Sequence, residues 1–197
     1  MSVNIYFVRH GQSRANAARI MQGSKIDTPL TALGRKQAAQ TCQKLSAISF
    51  DHVYASTLLR AGETAAIITA NKVPITFDNR LVEFDYGLWD GKTIPYLLST
   101  HPEYFNDLDY FLSSAWKVSQ GEKFTDLTQR MASFTSELNL NTDSNLLVVS
   151  HEMTIKLWIS SLLKLPSPKL LGSLDNAGIT KVTYLSPDSY RLSCYNK

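Results

Sequence analysis

Two arginines and two histidines are the side chains of this sequence best suited to chemistry on an anion. Arg9 and His10 follow a short apolar run, Arg60 comes just after a second run, and His151 comes just after a third. Guanidinium groups present planar donor forks that match a tetrahedral oxyanion, most commonly phosphate. An imidazole nitrogen held against such a group can attack the phosphorus in line, because the arginines disperse charge on its equatorial oxygens.

A carboxylic acid is the further group that this chemistry requires. A departing alkoxide must be protonated, and the attacking water must later lose a proton. Three acidic residues lie close together in the chain, Glu83, Asp85 and Asp90, within a stretch rich in aromatic residues. Apolar surroundings favour the protonated form of a carboxyl group, so each of the three is a candidate for this role.

The other metal-binding residue types do not form a recognisable metal site. Two histidines without a nearby carboxylate pair or cysteine make a poor set of ligands, so we expect no metal and no cofactor. Cys42 and Cys194 fit neither a metal-ligand spacing nor a disulfide framework. They are interpreted as reduced thiols, which predicts a cytoplasmic protein.

The apolar pattern predicts alternating strands and helices. Buried strands are expected at residues 3–8 and 146–150, further strands at 51–55 and 74–77, and a closing hairpin at 178–185 and 190–195. One helix begins after Thr31 and turns Ala38, Cys42 and Leu45 inward, and others cover residues 59–71, 124–138 and 153–163. This order predicts an α/β fold, a three-layer sandwich with a mostly parallel central sheet flanked by helices.

The reactive residues fall where such a sheet binds its ligands. Open α/β sheets hold ligands beyond the carboxyl ends of their strands. Arg9, His10, Arg60 and His151 all lie at or just beyond such ends in the predicted order. We therefore expect the four side chains to converge on one anion site.

Residues 1–197 are expected to form one domain that carries an inserted segment. The segment, about residues 84–121, has a weak apolar pattern and is expected to pack over the site as a helical and aromatic lid. Its rings belong to Phe84, Tyr86, Trp89, Tyr96, Tyr104, Phe105, Tyr110, Phe111 and Trp116.

Charge and hydropathy exclude several classes of partner. The chain carries 20 Lys and Arg residues against 17 Asp and Glu residues, a formal net charge of +3, which is too balanced for a protein that coats nucleic acid. No apolar run approaches the roughly 18 residues that span a bilayer. The first residues do not resemble a secretion signal. We expect a small anionic ligand as the partner, and neither nucleic acid nor a membrane.

Five blocks of the sequence resemble, in the same order, the motifs of the histidine phosphatase superfamily, which includes the phosphoglycerate mutases. The blocks are Arg9-His10-Gly11-Gln12-Ser13 with Asn16; residues 27–31 with Gly34, Gln37 and Ala38; residues 56–61 with Thr64 and Ala65; Leu81-Val82-Glu83 with Gly87, Trp89 and Gly91; and residues 148–151. The ordered set is far more specific than Arg-His-Gly alone.

The resemblance implies a role for each matching residue. It makes His10 the residue that becomes phosphorylated, and Glu83 the general acid and then base. It implies that Arg9, Arg60 and His151 bind the phosphate oxygens. Further contacts to the phosphate or the substrate are expected from Asn16, Gln22 and Gly23.

One residue departs from the family pattern. Glu152 stands where a glycine normally follows the second histidine. A carboxylate directed into the pocket would repel a phosphate dianion, whereas one directed outward would only favour the start of a helix. The outward orientation is the one we expect.

The resemblance leaves three functions open. Mutases of this family typically carry an arginine where this chain has Phe84, and residues 86–120 contain only Lys92 and Lys117 as Lys or Arg residues. We therefore expect a phosphomonoester hydrolase of the histidine acid phosphatase type that acts on a small phosphorylated metabolite. The alternatives are a cofactor-dependent phosphoglycerate mutase and a non-catalytic module that binds a phospho-ligand or a protein.

Overall fold

The computed structural model describes residues 2–106, 111–140 and 143–197. Its strands are β1 (Val3–Arg9), β2 (His52–Ser56), β3 (Ile75–Asp78), β4 (Ser144–Ser150), β5 (Ile179–Ser186) and β6 (Ser189–Cys194). Its α-helices are α1 (Arg14–Ala17), α2 (Ala32–Lys44), α3 (Leu59–Thr69), α4 (Ile94–Thr100), α5 (Trp116–Ser119), α6 (Phe124–Ser136) and α7 (Glu152–Leu162). The expected strands and helices are all present, close to their expected ends. Within these ranges no helix has both the length and the apolar character needed to cross a membrane.

The strands form one sheet in the order β3-β2-β4-β1-β5-β6. The first four strands of this order, β3, β2, β4 and β1, are parallel to one another. Strand β5 is antiparallel to β1, and β6 is antiparallel to β5. The predicted mostly parallel α/β sheet is confirmed. Arg9 pairs with Ser150 in the register of β1 and β4, so the residues that follow, His10 and His151, leave the sheet side by side.

Helices cover both faces of this sheet. On one face Phe7 packs its ring edge-to-face against Trp158 of α7 at 4.7 Å between centroids, within a core that α6 also enters. On the other face, Tyr6 and Val8 pack with residues of α3 and with Leu45, which follows α2. Because side chains alternate across a strand, β1 supplies both cores and its end is held rigidly between them.

Helix α2 corrects one detail of the sequence prediction. Ala38 and Leu45 are buried as expected, but Cys42 is only partly buried. Thr41 turns inward instead, and its hydroxyl donates a hydrogen bond to the carbonyl of Ala177 at 2.7 Å. A polar side chain can occupy this inward position because it finds an acceptor there.

The aromatic segment, residues 84–121, packs onto the core through its rings. Phe84 meets Phe111 at 5.4 Å and Phe124 of α6 at 5.5 Å between centroids, both edge-to-face. Trp89 stacks on Phe105 at 5.7 Å. Tyr110 lies outside the described residues. Most of the expected rings thus belong to the same core as Phe7, although Tyr96 is exposed.

Candidate active site

His10 lies just beyond the end of β1 and is buried. Its Nδ1 donates a hydrogen bond to the carbonyl of Gly11 at 2.7 Å, which leaves the lone pair on Nε2. Burial, together with the positive charges of Arg60 and Arg9, holds the pKa of His10 well below its usual range. The ring is therefore neutral near pH 7, and Nε2 can act as a nucleophile.

The chain after His10 packs directly on the start of α2. A Cβ atom on Gly11 would lie 2.4 Å from the carbonyl oxygen of Gly34, and one on Gly34 would lie 2.1 Å from that of Gln12. Both positions therefore require glycine. The hydroxyl of Thr64 in α3 accepts a hydrogen bond from the Gly11 backbone at 3.0 Å. These contacts fix the backbone that carries the His10 ring.

Arg60, in the first turn of α3, is completely buried beside His10. Its Nε donates to Nε2 of His10 at 3.2 Å, while Nη1 and Nη2 donate to the carbonyls of Ile26 and Gly23 at 3.0 and 3.1 Å. The carboxylate of Asp27 lies 3.6 Å from Nη1. Burial lowers the pKa of Arg60, but an arginine stays charged near neutrality. The guanidinium is thus a fixed positive group at the nucleophile.

His151 follows β4 and stands next to His10, with 5.1 Å between the ring centroids. Its Nε2 lies 2.8 Å from the hydroxyl of Ser56 at the end of β2. Burial and the charge of Arg60 hold the pKa of His151 well below its usual range. The residue brings a second neutral imidazole to the site.

Two buried nitrogen atoms of this cluster make no hydrogen bond within the described part of the chain. Among the described residues, Nε of Arg9 and Nδ1 of His151 are buried without a hydrogen-bond partner. Buried polar atoms are nearly always paired, because leaving one unpaired costs about 1–3 kcal/mol. A tetrahedral oxyanion bound beside His10 is a ligand that could satisfy both.

Glu83 brings a buried carboxyl group to the first turn of α7. Its Oε1 accepts hydrogen bonds from the backbone of Phe84 at 2.9 Å, and from the backbone and hydroxyl of Thr154 at 3.1 and 3.2 Å. From the described residues its Oε2 accepts only a long bond of 3.4 Å, donated by the backbone of Met153. Burial raises the pKa of Glu83, although these donors and Arg60 oppose the rise. The arrangement suits a carboxyl group that exchanges a proton through Oε2.

No set of three or more histidine, cysteine or acidic side chains within residues 2–106, 111–140 and 143–197 is grouped as a metal site would require. The side chains described above supply an imidazole nucleophile, fixed cations and a buried carboxyl group. These are the parts needed for transfer of a phosphoryl group to and from a histidine.

Comparison with known proteins identifies the family of this site. The family model described as "Histidine phosphatase superfamily (branch 1)" matches residues 5–197. The chain belongs to the histidine phosphatase superfamily. Members of this superfamily are phosphatases or mutases, so the protein is an enzyme of the phosphoglycerate mutase family.

Relatives carry the names of both kinds of enzyme. "Probable phosphoglycerate mutase GpmB" of Salmonella arizonae is 34% identical over 185 residues, which cover 92% of this chain and 85% of that protein. Among solved structures, the alpha-ribazole phosphatase from Shigella flexneri has a TM-score of 0.81 at 27% identity, covering 98% of this chain and 96% of that one. A mycobacterial glucosyl-3-phosphoglycerate phosphatase in complex with VO3 has a TM-score of 0.84 at 27% identity, covering 98% of both chains.

The structure distinguishes the three candidate acids. Asp85 accepts a hydrogen bond from the Gly87 backbone at 2.7 Å and pairs with Lys25 at 3.0 Å. Asp90 accepts from the backbones of Gly23 and Lys25. Both carboxylates therefore fasten loops. Glu83 is the buried one of the three and is held against the first turn of the helix that follows His151, so its position favours it as the acid.

Three expected ligand contacts lie around this site with different local roles. Asn16 accepts a hydrogen bond at Oδ1 from Asn176 at 3.3 Å, so its Nδ2 is the group able to donate to a ligand. The amide of Gln22 is engaged by the protein, accepting from Ser13 and donating to the carbonyl of Ile26 and the hydroxyl of Thr28. Gly23 gives its N–H to Asp90 and its carbonyl to Arg60. Both Gln22 and Gly23 thus support Arg60 and its loop, and their contact with substrate stays a prediction.

Two residues of the site, Thr154 and Asn176, were not predicted from the sequence. Thr154 binds Glu83 and also donates to the carbonyl of Val82 at 2.8 Å. Asn176 donates to the carbonyl of His10 at 3.1 Å. Thr154 stands one turn into a helix that follows His151, and this position is the only signal that could have identified it. Nothing in the sequence brings Asn176 to His10.

Glu152 corrects the expectation made for it. Its side chain does not turn out to solvent but pairs with Arg9, with 2.8 Å between Oε2 and Nη1. The physical reason is that the partly buried guanidinium of Arg9 offers the carboxylate a charge-assisted hydrogen bond.

Proposed function

We propose that this protein is a phosphomonoester hydrolase that forms a phosphohistidine at His10 and acts on a small phosphorylated metabolite. The observation that carries the proposal is the state of His10. Its Nδ1 proton is held by the Gly11 carbonyl, and its Nε2 is unprotonated beside the Arg60 guanidinium. A neutral imidazole with its lone pair directed at a fixed cation is arranged to attack an anionic phosphoryl group.

The first half-reaction transfers the phosphoryl group to the protein. Its oxygens are held by Arg9, Arg60 and His151. Nε2 of His10 forms a bond to phosphorus as the bond to the ester oxygen breaks, and the electron pair of that bond leaves with the oxygen. Glu83 delivers its proton to this oxygen, so the product is a neutral alcohol.

The second half-reaction returns the enzyme to its starting state. A water molecule attacks the phosphorus, Glu83 removes a proton from it, and the bond between Nε2 and phosphorus breaks. Inorganic phosphate is released, His10 is again neutral, and Glu83 is again protonated. Glu83 takes back from water the proton that it gave to the leaving oxygen, so we propose that the reaction needs no metal and no cofactor.

Hydrolysis rather than phosphoryl transfer between phosphoglycerates is supported by the charges around the site. Lys92 and Lys117, the Lys and Arg residues of positions 86–120, are both exposed. Glu152 adds a negative charge at Arg9. A substrate with a second strongly acidic group would find few cations to hold it. Two of the structurally similar proteins are named as phosphatases of small phosphorylated compounds.

The near-balanced charge also supports a soluble small-molecule enzyme, without nucleic acid or membrane as a partner. Cys42 and Cys194 are both free thiols, which is typical of a reducing compartment. We therefore propose a cytoplasmic location.

The test is a phosphate-release assay in the presence of a chelator. The wild type should hydrolyse p-nitrophenyl phosphate, and His10→Ala should not, whereas His52→Ala, at an exposed histidine on β2, should match the wild type. A panel of metabolite phosphomonoesters that includes the phosphoglycerates then separates release of phosphate from transfer between substrates. Faster transfer than release would make the protein a mutase, and binding without turnover would make it a non-catalytic module.

A further inference from the structure

Glu152 is an acidic residue in direct contact with Arg9, one of the proposed phosphate ligands. It is the first residue of α7, and its Oε2 lies 2.8 Å from Nη1 of Arg9. The side chains are largely sheltered from water, with 16% of Arg9 and 22% of Glu152 exposed. An ion pair with so little solvent contact is screened less than a surface pair, so its charges act strongly on their neighbours.

The contacts of this pair fix which edge of the Arg9 guanidinium is free to bind. Nη1 is held by Glu152 and also donates to the carbonyl of Leu174. The second oxygen of Glu152 accepts from the Leu174 backbone at 3.4 Å, which ties the carboxylate to the same loop. Nε of Arg9, on another edge of the group, is buried and has no hydrogen-bond partner in the part of the chain that the structure describes. The carboxylate therefore holds the guanidinium by one nitrogen while another stays available.

The charge of Glu152 has a second effect. Arg9 and Arg60 place two cations around the proposed phosphate site, and both influence His10. A site with only these cations would hold inorganic phosphate, the last product, as firmly as it holds substrate. A carboxylate in contact with Arg9 offsets part of that attraction.

We propose that Glu152 is a positioning residue for Arg9, which turns Nε of the guanidinium toward the phosphoryl group and weakens the hold on inorganic phosphate so that product leaves. This rests on the proposed function only in that the anion is a phosphate. Glutamine at this position keeps an oxygen that can accept from Nη1 but removes the charge. Alanine removes both.

Binding of inorganic phosphate and of vanadate, measured by calorimetry, tests the two effects without turnover. Glu152→Gln should bind inorganic phosphate about tenfold more tightly than the wild type, since about 1.4 kcal/mol of repulsion corresponds to tenfold. Glu152→Ala should bind it at least roughly tenfold more weakly than Glu152→Gln, because Arg9 loses its anchor. Glu137→Gln, in an exposed pair with Arg80, is the matched control and should not differ from the wild type.

Steady-state kinetics supply a readout that a merely structural role would not move. In Glu152→Gln, both KM and the inhibition constant of phosphate should fall, because the same charge acts on the phosphoryl group of substrate and of product, whereas in Glu152→Ala kcat/KM should fall about tenfold. If Glu152→Ala does not fold, Glu152→Asp replaces it, since the shorter side chain keeps the charge but retracts from Arg9.

The inference would be overturned if Glu152→Gln bound phosphate with the affinity of the wild type. It would also be overturned if Glu152→Gln and Glu152→Ala bound phosphate equally well. A wild type that binds phosphate but hydrolyses no ester would overturn the proposed function and leave the inference on Glu152 standing. The two proposals therefore fail separately.

Discussion

Nε of Arg60 donates a hydrogen bond to Nε2 of His10 across 3.2 Å, so the lone pair of the nucleophile accepts a hydrogen bond from a fixed cation. The bond keeps the imidazole neutral and aligned, because protonation of Nε2 would place two positive groups in contact. A phosphoryl group that enters the site can take over the donor, which frees the lone pair for attack. One guanidinium thus orients the nucleophile before binding and holds the charge of the phosphoryl group afterwards.

Replacing Arg60 with lysine tests this double role. A lysine keeps the charge but loses the planar fork that reaches His10 and two carbonyls at once. We expect kcat/KM for p-nitrophenyl phosphate to fall by about 10²–10³-fold, the usual cost of removing one donor from such a site. Arg35→Lys, in a surface pair with Glu63, is the control and should keep full activity. Activity of Arg60→Lys within a few-fold of the wild type would show that charge alone suffices.

Replacing Glu83 with glutamine separates esters by their leaving groups. Alkyl phosphates need their departing oxygen protonated, whereas p-nitrophenolate leaves without help. We expect the rate of phosphohistidine formation to fall by about 10²–10⁴-fold for an alkyl ester and much less for p-nitrophenyl phosphate. The rates are compared in single-turnover experiments, with Asp90→Asn as the matched variant. Equal losses for both esters would remove Glu83 from the role of acid.

Thr154 tunes Glu83, and replacing it with valine removes the hydroxyl at almost constant volume. The hydroxyl shares its one proton between the Val82 carbonyl at 2.8 Å and Oε1 of Glu83 at 3.2 Å. Losing a donor to the carboxylate disfavours its charged form, so the already raised pKa of Glu83 should rise further. We expect the alkaline limb of the pH profile for an alkyl ester to move to higher pH. Thr154→Ser should restore the wild-type profile, and a limb that stays in place in Thr154→Val would contradict the account.

The two buried histidines make the stability of the protein depend on pH. Their pKa values are lower in the folded than in the unfolded chain, whose histidines titrate near the ordinary value of 6.5. Below that pH the unfolded chain binds protons that the folded chain does not. Stability is therefore fully present above pH 6.5 and is lost as the pH falls below it.

This dependence is measured by urea unfolding at a series of pH values from neutral to mildly acidic. The free energy of unfolding of the wild type should fall toward acidic pH more steeply than that of His10→Asn, which lacks one of the two groups. Burial of Glu83 acts in the opposite direction, but the difference between the two proteins cancels its effect. Identical slopes would mean that His10 is not held neutral by the fold.

The sheet and the residues that converge on the site could be predicted from the sequence. Short apolar runs that end in Arg9-His10 and Ser150-His151 follow directly from burial of strands, and the register of β1 and β4 brings them together. Local patterns determine such elements, so they could be predicted from the chain alone.

The partners of the site residues depend on contacts between distant parts of the chain and could not be predicted. Arg9 and Glu152 are bound to the loop at Leu174, and Asn176 reaches the carbonyl of His10. No local pattern shows that Glu152 turns toward Arg9 and not to water. The same holds for Gln22, whose amide is engaged by Ser13 and Thr28.

The central claim is that a phosphoryl group passes through His10, and trapping that group tests it most directly. Glu83→Gln should accept a phosphoryl group from p-nitrophenyl phosphate but release it slowly, because water then lacks its base. Mass spectrometry of the quenched protein should find one acid-labile phosphoryl group on the peptide that contains His10, and none in the double variant with His10→Ala. Continued turnover with no phosphoryl group on His10, or with the group on another residue, would contradict the account.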